Sequence, residues 1–373
     1  VNDAATRWPS VDSWLSLKPV PVGPDDMHVQ HCYFNMDPRH PVDGRVLVFL
    51  SKEADSQRGD IALVGPEPGR VDVLAAGLEV EDAHRQATQH FVADGRWVVF
   101  NNRVGDEWRG EAVDTTTKER RVVARDCQVG FGHSALDLLV LVPLAWRPRP
   151  DGDLRLVRVS DGSLIRTVKL ETVVKQVGKR LPAPPLTPGQ GSLFAPLMSP
   201  DGQRLIMKLN RPTGGGARDA RGSERWGMVG YDLREDRVLF AREEWGHPAW
   251  HPDSRRILCV ERAGYVVIDS DTGNAAPLSY IPRPWGSHPS WHPDGRTIVT
   301  DLSTGDQPYE FFMAMAQLDQ PGLRTLFSCG LLKHATTSWR QAHVHPVFDR
   351  AGRRLYFNMM GEKWVRLHCL TAE

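Results

Sequence analysis

The chain has 373 residues, 40% of them hydrophobic and 25% charged, which supplies apolar material for an extensive core and excludes a disordered chain. Lys plus Arg and Asp plus Glu balance at 46 each, so no net field recruits nucleic acid or an anionic membrane surface. No run of about 18 apolar residues is present to span a bilayer, and the first thirty residues lack the basic, apolar, small-residue order of a signal peptide. The five cysteines (Cys32, Cys127, Cys259, Cys329, Cys369) are scattered and odd in number, without C-x-x-C spacing. That argues against a disulfide framework or a thiolate zinc site and for a reducing, cytoplasmic compartment, whereas a leader removed before Val1 would imply a periplasmic or secreted protein.

Short alternating apolar segments, punctuated by 33 glycines and 28 prolines, predict strands joined by tight turns. Seven related units follow in chain order. Asp43-Gly44-Arg45-Val46-Leu47-Val48-Phe49 and Asp94-Gly95-Arg96-Trp97-Val98-Val99-Phe100 keep a turn and a following strand, and Gly132-His133-Ser134-Ala135-Leu136-Asp137 keeps the outline. Ala195-Pro196-Leu197-Met198-Ser199-Pro200-Asp201-Gly202 opens the fourth. The fifth, His247-Pro248-Ala249-Trp250-His251-Pro252-Asp253, matches the sixth, His288-Pro289-Ser290-Trp291-His292-Pro293-Asp294, nearly position for position. His345-Pro346-Val347-Phe348 opens the seventh.

Each unit reads as an inner strand, a Pro-Asp-Gly hairpin turn and a second strand, with the remainder supplying two outer strands. Units of roughly 41 to 64 residues are the size of four-stranded propeller blades. The expected fold is all-β: a single seven-bladed β-propeller over residues 1–373, with four-stranded antiparallel blades starting near 31, 88, 130, 194, 246, 287 and 344.

His247, His288 and His345 share one position of the repeat, so three successive blades present imidazoles at one level around the axis. His343 lies two residues before His345 and, by strand alternation, points to the same side. The corresponding residues Ala195 and Thr88 show that a blade does not need histidine there. Two histidines at i and i+2 with a third from the neighbouring blade can supply three nitrogen ligands to a divalent ion. His247 is then a fourth ligand or a neutral base beside the metal. His251 and His292, next to the turns, are expected to be solvated and without a role. His31, His90 and His133 lie near the inner strands of blades one to three and read either as a second catalytic set or as substrate contacts.

The order and approximate spacing of five segments resemble the oligogalacturonate lyases. They are Gln30-His31-Cys32-Tyr33-Phe34, Asp219-Ala220-Arg221 with Arg225-Trp226-Gly227-Met228, Gly246-His247-Pro248-Ala249-Trp250, Gly286-Ser287-His288 and His343-Val344-His345-Pro346. The resemblance runs from about His31 to Leu370. It implies a seven-bladed propeller and a polysaccharide lyase, a carbon–oxygen lyase that cleaves uronic-acid oligosaccharides by β-elimination with a divalent metal and a histidine base. Carried over by motif, His288, His343 and His345 are metal ligands, His247 is the base, Arg225 is a cation beside the substrate carboxylate, and Tyr33 is a substrate contact. The metal implied is Mn2+, with Ca2+ or Zn2+ as alternatives.

One departure bears on the ligand set. The family carries a glutamine ligand three residues before the first histidine of His-x-His, where this chain has Arg340, with Gln341 one step later. Either Gln341 shifts in as a ligand or the site is altered or metal-free, and Arg340 is placed to pair with a uronate carboxylate. The departure leaves open related propeller lyases acting on ulvan or rhamnosyl-glucuronate. The chemistry suits the residue types: C5–H of a uronate becomes removable once the adjacent carboxylate is neutralised. A TolB-like propeller that binds a peptide or protein is the non-catalytic alternative, which would not need an asymmetric histidine and arginine cluster. A hydrolase would need two suitably spaced carboxylates, and none converges in the repeats.

Overall fold

The computed structural model describes residues 8–53, 57–65, 70–81, 84–181, 186, 189–216, 223–279, 281, 288–303, 310–318, 320, 322, 324–331, 342–361 and 363–372. Among them the strands form seven antiparallel blades of four strands, as the repeats predict. Blade 1 runs His28–Gln30, Val46–Ser51, Arg58–Val64 and Val71–Glu79, and blade 2 runs His90–Val92, Trp97–Val104, Glu107–Asp114 and Arg120–Arg125. Blade 3 is Cys127–Val129, Leu139–Pro143, Leu154–Val157 and Leu164–Val168, and blade 4 is Ser192–Met198, Arg204–Pro212, Ser223–Asp232 and Arg237–Arg242. Blade 5 is Ala249–Trp250, Arg256–Glu261, Gly264–Asp269 and Ala275–Pro277, and blade 6 is Ser290–Trp291, Thr297–Ser303, Glu310–Gln317 and Arg324–Leu331.

Blade 7 has three strands from the C-terminal part of the chain, Val347–Phe348, Arg354–Met360 and Val365–Thr371, and takes its fourth, Val20–Pro21, from near the start. Val20 pairs with Cys369 and Pro21 with His368, antiparallel. A parallel bridge from Val29 to Arg366 then fuses blades 7 and 1 into one continuous sheet. The ring is thus closed by the N-terminal segment.

The repeat residues are explained by bonds within and between blades. In the turns, Asp294 Oδ1 accepts from the backbone N–H groups of Arg296 and Thr297, both at 2.8 Å, and Asp253 does the same for Arg255 and Arg256. Gly295 follows in the left-handed region at φ 67°, where a Cβ is costly, and Ser254 occupies the same conformation in blade 5 at φ 60°. The indole N–H of Trp250 donates to Leu197 O of blade 4, and that of Trp291 to Ala249 O of blade 5.

His251 and His292 are buried, which corrects the expectation that they are solvated. Each Nε2 donates to the turn-glycine carbonyl of the next blade, Gly295 O and Gly352 O respectively, at 2.9 Å. Their Nδ1 atoms accept from the backbone N–H of Asp253 and Asp294. His40 makes the same clasp from blade 1 to Gly95 of blade 2 at 3.2 Å. A turn that faces solvent in one blade is a contact surface for its neighbour, so the ring desolvates it.

Apolar side chains between blades form the core. Phe49, Ile61 and Leu63 of blade 1 pack on Phe91, Phe100 and Val113 of blade 2. Between blades 3 and 4, Val140, Leu156, Met207 and Tyr231 are joined by Leu170, Val173 and Val177 from one face of the helix Leu170–Val177. All five cysteines are buried free thiols. No helix among the described residues is long and apolar enough to cross a membrane.

Candidate active site

The connectors leading into the inner strands carry the site. His247 lies just before Ala249–Trp250 of blade 5, His288 before Ser290–Trp291 of blade 6, and His343 and His345 before Val347–Phe348 of blade 7. The repeat argument predicts that they converge, and they do: ring centroids are 4.5 Å apart for His247 and His288, 4.4 Å for His288 and His345, and 5.0 Å for His288 and His343. His345 has a left-handed backbone at φ 48°, as do the corresponding Thr88 (φ 54°) and Ala195 (φ 45°). The left-handed backbone, a strain of roughly 1 kcal/mol, is thus also adopted by threonine and alanine at this position and is not specific to histidine.

A fifth histidine joins these four that the repeats do not reveal. His84 sits on the connector between blades 1 and 2, with its ring 4.5 Å from that of His343 and 4.8 Å from that of His345. One nitrogen from each of His84, His288, His343 and His345 lies within 4.8 Å of the other three. The segment bearing His84 is pinned on both sides. Gln86 donates to Gln30 Oε1 of blade 1 at 2.6 Å, and the Glu81 carboxylate accepts from Arg85 and from Gln128.

The quartet fits a divalent cation. His288 Nε2 and both ring nitrogens of His345 are buried and have no hydrogen-bond partner among the described residues, the condition of ligands awaiting an ion. Asp301, fully buried, fixes His288: its carboxylate accepts from the ring Nδ1–H at 3.0 Å and from the backbone N–H at 2.6 Å, leaving Nε2 to face the quartet. Asp301 Oδ2 also accepts from His345 N–H. Burial, followed by the charge of neighbouring histidines, holds His84 and His345 well below the ordinary imidazole range, so both are neutral donors at neutral pH.

Beside the quartet opens a cavity with a cationic wall, lined in part by His84, Arg85, Lys208, Arg225, Trp245 and His247. Arg225, on the third strand of blade 4, packs its guanidinium 5.2 Å from both the Phe194 and Trp245 rings. Lys208, on the second strand, is buried, donates to Gly246 O at 2.9 Å and lies 4.7 Å above the Trp245 ring. Burial and then the charges of Arg225 and Arg85 push its ammonium down to about 7. His247 is lowered well below the imidazole range by burial, His288 and Lys208, and so is neutral.

Tyr33 lines the same cavity, stacked on Phe131 at 5.0 Å and edge-on to His345 at 4.6 Å; burial raises its phenol, which stays protonated. His31 lies behind the quartet, its ring 6.4 Å from that of His345, and burial takes it down to about 4.

The other two sequence-selected histidines lie apart. His90 has both ring nitrogens on backbone, Nδ1–H donating to Thr88 O at 2.9 Å and Nε2 accepting from Gly132 N–H at 3.3 Å, so it staples blade 2 to blade 3. His133 lines a second cavity beyond Phe34 and Leu197, with Trp250, Trp291 and Arg350. They form no second histidine centre among the described residues. Arg340 and Gln341 lie outside the described residues.

The fold and site define a seven-bladed propeller with a histidine quartet next to a cationic cavity. Solved structures that share this fold include two oligogalacturonate lyases. One is an oligogalacturonate lyase in complex with manganese, 16% identical, covering 96% of this chain and 96% of its own, with a TM-score of 0.61. The other is an oligogalacturonate lyase from Vibrio parahaemolyticus, 16% identical, covering 95% of this chain and 93% of its own, with a TM-score of 0.60. TolB from Acinetobacter baumannii is more distant, at 13% identity over 81% of this chain and a TM-score of 0.40. No family model matches the sequence, and no curated protein matches it. At these identities the likeness establishes the fold, which is that of the oligogalacturonate lyases.

Proposed function

We propose that the protein is a lyase that cleaves 4-linked uronate glycans by β-elimination, with His247 as the base. The observation that carries this reading is a neutral imidazole on the wall of a cavity that also presents Arg85, Lys208 and Arg225, immediately beside a four-histidine cluster. Such a wall suits a polyanionic sugar. That two structures of the same fold are named oligogalacturonate lyases, one holding manganese, supports it.

Each group has a task in this scheme. Arg225 faces the uronate carboxylate and offsets its charge, which makes C5–H more acidic. Trp245 and Tyr33 offer ring surface to the sugar. His247 accepts the C5 proton; the C–H electrons become the C4=C5 double bond as the C4–O bond breaks. His84, His288, His343 and His345 would hold a divalent cation, oriented through Asp301, and when bound it supplies further positive charge for the carboxylate. His84 takes the fourth place in the ligand set, so the ion needs no glutamine, and His247 is left free for proton transfer.

Incubation with 4-linked uronate oligosaccharides is expected to release ultraviolet-absorbing 4,5-unsaturated ends, lost in His247→Ala. A panel of galacturonate, glucuronate, mannuronate and iduronate substrates that yields no such absorbance with the metal-loaded protein would refute the reading.

A further inference from the structure

Lys208 is a buried cation of the cavity to which the scheme above gives no step. It is 8% exposed, yet no carboxylate among the described residues pairs with it, and a buried ammonium without a counter-ion is costly. Of its three N–H bonds, one is accepted by Gly246 O at 2.9 Å and the others find no acceptor among the described residues. The carbonyl it holds belongs to the peptide bond between Gly246 and His247, so the Lys208 ammonium and the His247 imidazole stand on one wall, a single peptide unit apart. The ammonium is also electrostatically coupled to that imidazole. Trp245, packed under Lys208 and against Arg225, fixes the same wall.

Elimination from a glycoside needs a proton for the departing oxygen as well as a base for the carbon. Sugar alkoxides are poor leaving groups. We propose that Lys208 is the acid that protonates the departing glycosidic oxygen from the same side as His247, so that the elimination is syn and selects uronates whose C5–H and C4–O bonds are cis, as in glucuronate and mannuronate and not galacturonate. This rests on the elimination reading of the site. In the step, His247 gains the C5 proton, the C5–H pair forms the C4=C5 bond, the C4–O bond breaks, and the oxygen takes a proton from the Lys208 ammonium. One group gains a proton and the other loses one, and exchange with solvent resets both. An ammonium near 7 gives up its proton far more readily than an ordinary lysine.

The experiment compares wild type and Lys208→Met on methyl glucuronosides carrying at O4 either a sugar or nitrophenolate, and on the galacturonate epimers of both. For the glucuronosides, Lys208→Met is expected to slow loss of the sugar about 100-fold or more and loss of nitrophenolate by less than about 5-fold, because nitrophenolate departs without a proton. Wild type is expected to turn over the glucuronosides at least about tenfold faster than their epimers. Thermal unfolding of Lys208→Met checks that it is folded. Equal losses on both leaving groups, or faster turnover of the galacturonate epimers, would overturn the proposal while leaving the elimination reading standing. Absence of unsaturated product from every substrate with wild type would instead sink the elimination reading, and the role of Lys208 with it.

Discussion

Replacing Lys208 by methionine should stabilise the fold below neutral pH, by an amount that disappears as the pH rises. Burial lowers the ammonium from 10.5 to about 7. At ~1.4 kcal/mol per pH unit, holding the charge in the folded state costs roughly 5 kcal/mol at most. The lost hydrogen bond to Gly246 O and the lost contact with Trp245 each return about 1 kcal/mol. A net gain of about 3 kcal/mol is expected at pH 6. The sign of the pH dependence follows from linkage. Below about 7 the lysine is protonated in both folded and unfolded chains and the whole penalty is present; between about 7 and 10.5 the unfolded chain binds more protons, so rising pH favours the wild-type fold. Urea unfolding of both proteins at pH 6, 8 and 9.5 measures the difference. An advantage for Lys208→Met that does not shrink from pH 6 to 9.5 would refute the assignment of Lys208 as a buried, unpaired ammonium.

His292→Ala removes a buried ring that links the turn of blade 6 to Gly352 of blade 7, and should cost about 2–4 kcal/mol of stability by denaturant unfolding. Asp301→Asn disturbs the carboxylate that orients His288, and is expected to weaken Mn2+ binding about 10–100-fold by calorimetry. His84→Ala should weaken Mn2+ at least as much, whereas His90→Ala, outside the quartet, should leave metal affinity within about 3-fold of wild type.

The blades were legible because their signals are local. A Pro-Asp-Gly turn needs Asp to accept the next backbone N–H groups and a left-handed residue to follow, and both needs recur at fixed spacing. The three histidines at the shared repeat position were legible for the same reason, since equivalent positions in successive blades point to one place. His84 was not, because it lies four residues before Thr88 and so outside the repeat register. Asp301 and Lys208 sit on second strands, where alternation alone does not tell a site residue from an ordinary one. His251 and His292 were misread because proximity to a turn implies solvent only when nothing packs on that turn. His90 and His133 share a neighbourhood in sequence with the inner strands, but their rings face an adjoining blade and a different cavity.

The quartet also joins chain segments that are far apart in sequence. His84 arrives soon after blade 1, and His343 and His345 introduce blade 7, so the cluster straddles the seam where Val20–Pro21 is added to the last blade. An ion gripped by all four is a rivet across that seam, closing a loop that runs from residue 84 to residue 345. Were an ion bound there, occupancy of the site and integrity of the ring would be one coupled equilibrium: whatever loosens the two-residue N-terminal clasp would weaken the grip on the ion, and the ion would in turn guard the clasp.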